Sequence, residues 1–329
     1  MNKKLKIGVL GSGHLGKIHL RLLKESKDFD LVGFYDTQPQ IAAKISKEFG
    51  YQSFSDINQL LKAVDVVDIV TPTLTHFELA KKALLNGLHV FLEKPITATV
   101  EQAQELVSLA KSKGLLGMVG QVERFNPAFR AAHSYIKDPK FIEAHRLAEF
   151  NLRGTDVSVI LDLMIHDIDA VLSVVKSKVV NVQANGVSII SQTPDIANAR
   201  LQFENGCVAN LTASRISLKT MRKSRFFQQD AYVSVDYFEK KVEIVRMQDA
   251  PKSSKDFAMI LKTAEGAEKQ IFFDNPEVQE SNAILSELES FANAIRMNKE
   301  PIVSLQAGTS ALEVAYQIIN CFSNAISPI

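Results

Sequence analysis

Residues 7–16 read Ile7-Gly8-Val9-Leu10-Gly11-Ser12-Gly13-His14-Leu15-Gly16, an apolar run that leads directly into three spaced glycines. The apolar run predicts a buried strand, and the glycine pattern predicts a tight turn that opens a helix. Gly11 permits the turn, Gly13 lets the backbone approach a diphosphate, and Gly16 lets the helix pack closely on its strand. Free N–H groups at the start of that helix favour an anion. The stretch therefore predicts a dinucleotide-binding unit.

An acidic residue follows at the distance that is typical of this fingerprint. Asp36 lies 20 positions after Gly16 and closes the apolar run 31–35. A carboxylate there accepts hydrogen bonds from the ribose hydroxyls of NAD and repels the 2′-phosphate of NADP. Neither Thr37 nor Gln38 supplies a compensating cation. We therefore expect NAD as the cofactor; the alternative is that the three glycines only form a tight turn.

The composition is that of an ordinary globular protein with room for two domains. The chain has 329 residues, of which 46% are hydrophobic and 23% charged. A formal net charge of +1 argues against a nucleic-acid partner, which normally requires a clear basic excess. Cys207 and Cys321 lie far apart, as expected of reduced thiols. Because neither an export signal nor an apolar stretch of roughly twenty residues is visible, we expect a cytoplasmic protein without a membrane partner.

The first 120 residues alternate apolar runs with helical patterns. Strands are expected at 6–10, 31–35, 66–70, 88–92 and 115–119. The helices between them include 76–85 and 100–113, the latter capped by Thr99 and stopped by Gly114. Continuous apolar strands separated by helices indicate a doubly wound parallel sheet. We therefore predict a Rossmann domain over residues 1–122.

The remaining residues, 123–329, predict a second domain of α+β type. Asn126-Pro127 starts a helix to about residue 136, and a further helix covers 158–175. Asn205-Gly206 predicts a hairpin within an open, mostly antiparallel sheet of about six strands. Further strands and helices are expected at 231–238, 241–247, 258–262, 269–273, 278–297 and 306–325. Because few helices remain to cover the sheet, we expect a partner subunit on one face, in a homodimer or homotetramer.

Titratable residues follow the predicted parallel strands, where the substrate of such a fold lies. They fall in Thr71-Pro72-Thr73 with His76, in Glu93-Lys94-Pro95, and at Gln121. Lys94 stands out because the proline holds it in an extended conformation at a strand end. A lysine near a nicotinamide can hydrogen-bond the reacting oxygen and assist its proton transfer. The alternative is a surface lysine that pairs with Glu93.

The helix predicted at 158–175 carries a second candidate pair. Asp162 and His166 lie four positions apart and share one helix face, with Asp169 three positions further on. A carboxylate one turn from a histidine fixes its tautomer and suits it as a general base for an alcohol. The alternative is an ordinary pair on the helix surface. A metal site would need more ligands than this region supplies, so no metal is expected.

Basic residues accumulate without any acid between positions 205 and 229. They are Arg215, Lys219, Arg222, Lys223 and Arg225. One interpretation is a solvated loop between strands. The other is a patch that holds an anionic substrate such as a sugar nucleotide.

With these motifs together, the chain resembles the Gfo/Idh/MocA oxidoreductases nearly from end to end. The resemblance rests on the glycine fingerprint, Thr71-Pro72-Thr73-x-x-His76, Glu93-Lys94-Pro95 and Asp162-x-x-x-His166. It implies a Rossmann domain, a C-terminal domain whose open sheet serves oligomerisation, tightly held NAD(H), and a last helix that packs back on the first domain. It also implies that Lys94, Asp162 and His166 are catalytic. The fingerprint and the resemblance together imply cofactor contacts from Gly11, Gly13, His14, Leu15, Gly16, Asp36, Thr71, Pro72, Thr73, His76, Glu93, Lys94 and Gln121.

Residues 121–127 and 162–169 resemble the branch of the family that acts on UDP-N-acetylglucosamine at C3. In the mechanism this implies, His166 takes the hydroxyl proton, Asp162 orients the imidazole, and Lys94 hydrogen-bonds the oxygen. The candidate substrate contacts are Arg124, Asn126, Arg153 and Arg215. The alternatives are an inositol or free-sugar dehydrogenase, an NAD-dependent glycosidase, and a non-catalytic NAD-binding regulator.

Overall fold

The computed structural model describes residues 3–150, 157–249, 259–262, 266 and 268–323. The chain divides into two compact units. The first contains Met1–Phe125 and Asn282–Glu313, and the second contains Asn126–Ser281 and Val314–Ile329. Arg153 and part of the segment predicted as the strand 258–262 lie outside the described residues.

The first unit is built on a six-stranded parallel sheet. Its strands are β1 Leu5–Leu10, β2 Phe29–Tyr35, β3 Ser53–Phe54, β4 Val66–Ile69, β5 His89–Glu93 and β6 Gly117–Gly120. They lie side by side in the order β3-β2-β1-β4-β5-β6. The strand order therefore reverses between β1 and β4, and the crevice above such a switch point is where this fold binds dinucleotides. Ile7, Val9 and Phe91 are fully buried, as the continuous apolar runs predict.

Helices connect these strands. They are α1 His14–Glu25, α2 Pro39–Phe49, α3 Ile57–Lys62, α4 His76–Leu85 and α5 Val100–Lys113. The limits predicted for α4 and α5 agree with the structure: the Thr99 hydroxyl accepts from the Gln102 N–H, and Gly114 ends α5 with φ 64°. The predictions omitted α2, α3 and the short β3. Pro39 at the start of α2 and Gly50 just after it were the available signals.

The second unit has a nine-stranded sheet rather than about six strands. Its elements are α6 Pro127–His133, β7 Phe141–Leu147, α7 Ile165–Val174, β8 Val179–Val187, β9 Ile196–Phe203, β10 Val208–Ser214, β11 Met221–Phe227, β12 Ala231–Asp236, β13 Lys241–Asp249, β14 Met259–Lys262 and β15 Glu268–Asp274. The order is β14-β15-β13-β12-β11-β7-β10-β9-β8, with only the β7–β10 pair parallel. Gly206 turns the predicted β9–β10 hairpin with φ 83°. The sheet is therefore mostly antiparallel, as predicted.

The basic stretch contains one of the additional strands. Strand β11 carries Arg222, Lys223 and Arg225, and lies between β7 and β12. Its buried positions, Ser224 and Phe226, alternate with these basic residues. Interpreting the whole stretch as a loop was therefore wrong. Lys223 and Arg225 lie on the more exposed face of this strand, whereas Arg222 is an exposed residue on the same face as Ser224 and Phe226.

Two helices complete the chain, α8 Ala283–Met297 and α9 Leu305–Ser323. The predicted limits assigned α8 to the second domain, but it belongs to the first unit. Its Phe291 ring lies 6.2 Å from the ring of Phe91 in β5, and Arg296 forms an ion pair with Asp28. The first part of α9, to Glu313, also belongs to the first unit.

The two faces of the nine-stranded sheet differ in polarity. Strands β9 and β10 bury Leu201 and Leu211 on one face. The other face forms a shallow cavity of about 360 Å³, lined by Glu143, His145, Gln183, Asn185, Asn198, Arg200, Asn210 and Thr212. Because an antiparallel sheet can expose a polar face to water, this face does not by itself require a partner. None of the helices within the described ranges combines the length and apolar character that crossing a bilayer demands.

Candidate cofactor cavity and active site

The three glycines of the first turn have different surroundings. Gly11 has φ +94°, and a Cβ on it would lie 2.6 Å from the Val70 carbonyl oxygen. A Cβ on Gly16 would lie 2.3 Å from the Gly11 carbonyl oxygen, so α1 approaches β1 only with glycine there. A Cβ on Gly13 would meet nothing within 4 Å. Gly11 and Gly16 therefore shape the turn, whereas Gly13 leaves open space at the start of α1.

That space belongs to a cavity of about 660 Å³ in the first unit, a volume typical of small-molecule sites. Of the predicted cofactor contacts, it is lined by Gly11, Gly13, His14, Leu15, Asp36, Thr71, Pro72, Glu93 and Lys94. The lining also includes residues that the sequence analysis did not select: Leu10, Ser12, Tyr35, Thr37, Gln38, Ile41, Val70, Thr75 and Leu79. The cavity therefore extends from the end of β2 to the end of β5.

Asp36 anchors one end of this cavity. The Ser12 N–H and hydroxyl donate to Asp36 Oδ2 at 2.9 and 2.6 Å, and the Gln38 N–H donates to Oδ1 at 2.9 Å. The carboxylate thus joins the glycine turn to the end of β2. It retains further acceptor capacity, because an ionised carboxylate offers about four lone-pair sites. The Asp36 carboxylate fits the ribose diol of NAD, whose hydroxyls would donate to it, and the open space at Gly13 fits the diphosphate.

Four predicted cofactor contacts lie outside the cavity lining. Gly16 packs against the turn, Thr73 begins a short 3-10 turn, and Gln121 is buried. His76 is buried as well; its Nδ1 lies 2.9 Å from the Pro95 carbonyl oxygen and its Nε2 lies 2.9 Å from that of Thr71. Burial lowers the pKa of His76, although both carbonyls oppose this shift. His76 therefore joins two loops that border the cavity.

A buried cluster beneath the cavity was not predicted. His19 Nδ1 lies 2.9 Å from Asp68 Oδ2, and its Nε2 lies 3.2 Å from Glu93 Oε1. His19 and Asp68 are separated by 49 positions, so no local spacing links them. Across the described part of the chain, no group of three or more histidine, cysteine or acidic side chains is arranged to hold a metal. In this cluster two acidic side chains face the two ring nitrogens of His19.

In the second unit, Asp162 lies in a π turn at Ile160–Met164 and His166 lies in the first turn of α7. The Ile165 N–H donates to the Ile160 carbonyl, five residues back. The predicted helix 158–175 is therefore correct in position, but its first turn is wider than an α-helix. Such insertions are rare and frequently occur at functional sites. No signal in the sequence marked this turn.

A buried ion pair fixes α7 to the sheet. Arg146 of β7 donates to both carboxylate oxygens of Asp167, from Nε at 2.9 Å and from Nη2 at 2.8 Å. The Arg146 guanidinium also lies 5.9 Å from the centre of the Tyr237 ring. Because Asp167 follows His166 directly, this bidentate pair sets the position of the helix turn that carries the histidine.

The candidate substrate contacts have varied surroundings. Arg215 is buried and donates to the Val157 carbonyl, and Arg124 donates to the Ile302 carbonyl at 3.4 Å. The Asn126 side chain caps α6 by accepting from the Ala128 N–H, and it donates to the Tyr237 carbonyl at 3.0 Å. Asn126 therefore has structural roles in the second unit. Arg153 lies outside the described residues.

The parallel sheet, its glycine turn and the acidic end of β2 define a dinucleotide-binding Rossmann protein. A profile described as "Oxidoreductase family, NAD-binding Rossmann fold" matches residues 5–121, and one described as "GFO/IDH/MocA C-terminal domain" matches residues 116–230. The chain belongs to the Gfo/Idh/MocA family. It is an NAD-dependent oxidoreductase, and the prediction of NAD as cofactor is confirmed.

Two curated relatives match nearly the whole chain. UDP-N-acetylglucosamine 3-dehydrogenase of Acidithiobacillus ferrooxidans is 34% identical, with 95% of this chain and 96% of the relative covered. The scyllo-inositol 2-dehydrogenase (NAD(+)) of Bacillus subtilis is 27% identical, with 99% and 96% covered. A solved structure of the Acidithiobacillus enzyme superposes with a TM-score of 0.87 at 32% identity, covering 98% of this chain and 99% of that one.

Proposed function

We propose that the protein is an NAD-dependent dehydrogenase that oxidises the C3 hydroxyl of a UDP-N-acetylhexosamine. The observation that carries the proposal is the 34% identity to a UDP-N-acetylglucosamine 3-dehydrogenase over 95% of the chain. The scyllo-inositol enzyme matches a similar length at only 27%. The segments 121–127 and 162–169, which resemble the C3 branch, support the same substrate.

Three side chains have separate catalytic roles at this hydroxyl. His166 takes the hydroxyl proton, Asp162 orients the imidazole and stabilises its protonated form, and Lys94 hydrogen-bonds the oxygen as the carbonyl forms. NAD, when bound, supplies the acceptor for the hydride that leaves C3. Lys94 lines the cavity next to Glu93, and the π turn and the Arg146–Asp167 pair set the backbone at Asp162 and His166. These features support the assignment of roles.

The second part of the proposal concerns the residues that bind the substrate. We assign Arg124 and Arg153 to the diphosphate of the substrate, because guanidinium groups bind phosphate oxygens in a bidentate manner. Arg215, which is buried, contributes by holding the Val157 carbonyl. Asn126 contributes by holding the start of α6. The protein acts in the cytoplasm as a homodimer or homotetramer, with the polar face of the nine-stranded sheet between subunits.

The test is the nicotinamide absorbance of purified protein mixed with NAD and, separately, with UDP-N-acetylglucosamine, scyllo-inositol and glucose. Each mixture is run with and without a 2-oxoacid, which would reoxidise NADH that does not leave the protein. We expect NAD to be reduced with UDP-N-acetylglucosamine and not with scyllo-inositol or glucose. NAD reduction with scyllo-inositol and none with the UDP-sugar would overturn the proposal. The protein would then be an inositol dehydrogenase, like the Bacillus subtilis relative that is 27% identical.

Two histidine variants separate catalysis from folding. His166→Asn removes the proposed base and should lower kcat by about 10²–10⁴. His133→Asn is the matched control, because His133 is an exposed residue at the end of α6. It should retain full turnover. Equal turnover in both variants would rule out His166 as the base.

A further inference from the structure

The buried network at the end of β5 has no role in the steps above. Asp68 and His19 have no exposed side-chain surface, and Glu93 is only 12% exposed. The three side chains come from β4, α1 and β5, so the whole first unit contributes to their positions. Burying charges without partners costs several kcal/mol, so a network of this kind persists only because its members pair.

Acidic side chains flank the His19 imidazole on both sides. Each ring nitrogen of His19 faces a carboxylate oxygen, at 2.9 Å from Asp68 and at 3.2 Å from Glu93. The Nδ1 contact is a hydrogen bond, whereas the Nε2 contact with Glu93 is a close approach without hydrogen-bond geometry. Although burial opposes it, the Asp68 and Glu93 carboxylates raise the pKa of His19 well above its ordinary value. The two carboxyl groups therefore hold the imidazole between them.

Glu93 connects this network to the cavity. It lines the cavity beside Lys94, and its Oε2 lies 3.3 Å from the Lys94 backbone nitrogen, which donates to it. On its other side, a Cβ on Gly120 would lie 2.9 Å from Glu93 Oε1. His19 and Gly120 thus enclose the carboxylate and leave it one orientation, with its remaining surface toward the cavity.

The sheet order identifies which part of a dinucleotide this carboxylate meets. Asp36 ends β2 and fits the adenosine ribose, and the glycine turn after β1 fits the diphosphate. The ends of β4 and β5 lie on the opposite side of β1, so Glu93 and Lys94 are the residues that would border the nicotinamide when NAD is bound. The ring is positively charged in NAD+ and neutral in NADH. The Lys94 ammonium alone would disfavour the oxidised form, and the Glu93 carboxylate offsets it.

We propose that His19, supported by Asp68, is a positioning residue that fixes the Glu93 carboxylate at the nicotinamide end of the cavity and thereby shifts the relative affinity of the site toward NAD+ and away from NADH. The inference concerns the cofactor and goes beyond the proposed substrate. It stands or fails independently of which sugar the protein oxidises.

The test measures cofactor binding rather than turnover. Dissociation constants for NAD+ and NADH are determined by calorimetric titration for the unaltered protein, Glu93→Gln, His19→Gln and the double variant. Glu93→Gln should raise the ratio of the NAD+ constant to the NADH constant about tenfold, which raises the potential of the bound couple by about 30 mV. His19→Gln should shift the ratio about threefold in the same direction. In the double variant, the ratio of the two dissociation constants should equal that of Glu93→Gln alone.

Further variants keep the test decisive if His19→Gln does not fold. Asp68→Asn removes the support behind the imidazole and should shift the ratio in the same direction as His19→Gln. Asp65→Asn, at the exposed position just before β4, should leave the ratio unchanged. Equal weakening of both cofactors in His19→Gln and Asp68→Asn would overturn the proposal, as would an unchanged ratio in Glu93→Gln.

Discussion

The two units hold their site residues by different physical means. In the first unit, Asp36, Glu93 and Lys94 stand at or just after the ends of parallel strands, and their surroundings come from distant parts of the chain. In the second unit, Asp162 and His166 lie on one continuous helical segment. Strand ends acquire their geometry from the sheet, whereas helix positions acquire theirs from local spacing. The first arrangement should therefore tolerate backbone changes poorly, and the second should depend on what attaches the helix to the sheet.

The largest effect is expected where a single buried ion pair attaches α7. Asp167→Ala leaves the Arg146 guanidinium buried without its bidentate partner, and should destabilise folding by about 3–5 kcal/mol in urea unfolding. Glu143→Ala, which removes the half-exposed partner of Arg225 at 3.5 Å, should cost about 0–1 kcal/mol. Equal losses would show that burial of the pair is not what fixes the helix.

A glycine pair tests the backbone constraint in the first unit. Gly16→Ala places a Cβ 2.3 Å from a backbone oxygen, and should destabilise folding by about 2–3 kcal/mol. Gly13→Ala introduces no such clash and should cost less than about 1 kcal/mol, while weakening NAD about tenfold because the added methyl occupies the open space. Urea unfolding and NAD titration of both variants separate the two effects. The interpretation fails if Gly13→Ala destabilises the fold as much as Gly16→Ala does.

Acid sensitivity should arise in the second unit at Asp195. Burial alone would raise the pKa of Asp195. The N–H groups of Ser191, Ile190 and Ile189 instead hold this pKa far below its usual range. Because the folded-state pKa is depressed, its stabilisation is present above about pH 4 and is lost as the pH falls further. Asp195→Asn should cost about 1–2 kcal/mol at pH 7 and less near pH 3, measured by unfolding at each pH. A difference that does not vary with pH would contradict the assignment.

The smallest expected effect concerns the anchor at the adenosine end. Ser12→Ala removes the hydroxyl that donates to Asp36 at 2.6 Å but leaves the N–H groups of Ser12 and Gln38 in place. The affinity for NAD should fall about threefold to tenfold, as for the loss of one hydrogen bond to a charged group. Titration with NAD measures this change. Unchanged affinity would mean that the two N–H groups alone position the carboxylate.

Structural elements and cofactor motifs could be predicted from the sequence wherever neighbouring residues mark them. Helix α5 was predicted with both ends because Thr99 and Gly114 mark them, and the strand ends carried the cofactor motifs. Strand β11 was missed because its basic residues obscure the buried alternation at Ser224 and Phe226. The π turn has no known sequence signature. The His19–Asp68 pair could not be predicted, because only the packing of α1 against β4 brings these two positions, 49 residues apart, together.

The central claim is that the protein removes a hydride from C3 of a UDP-N-acetylhexosamine. The most direct measurement uses UDP-N-acetylglucosamine deuterated at C3, with a C4-deuterated sample as control, and determines the mass of the NADH that forms. We predict that NADH gains one mass unit from the C3-labelled substrate and none from the C4-labelled one. NADH that gains deuterium from C4, or from neither position, would contradict the account.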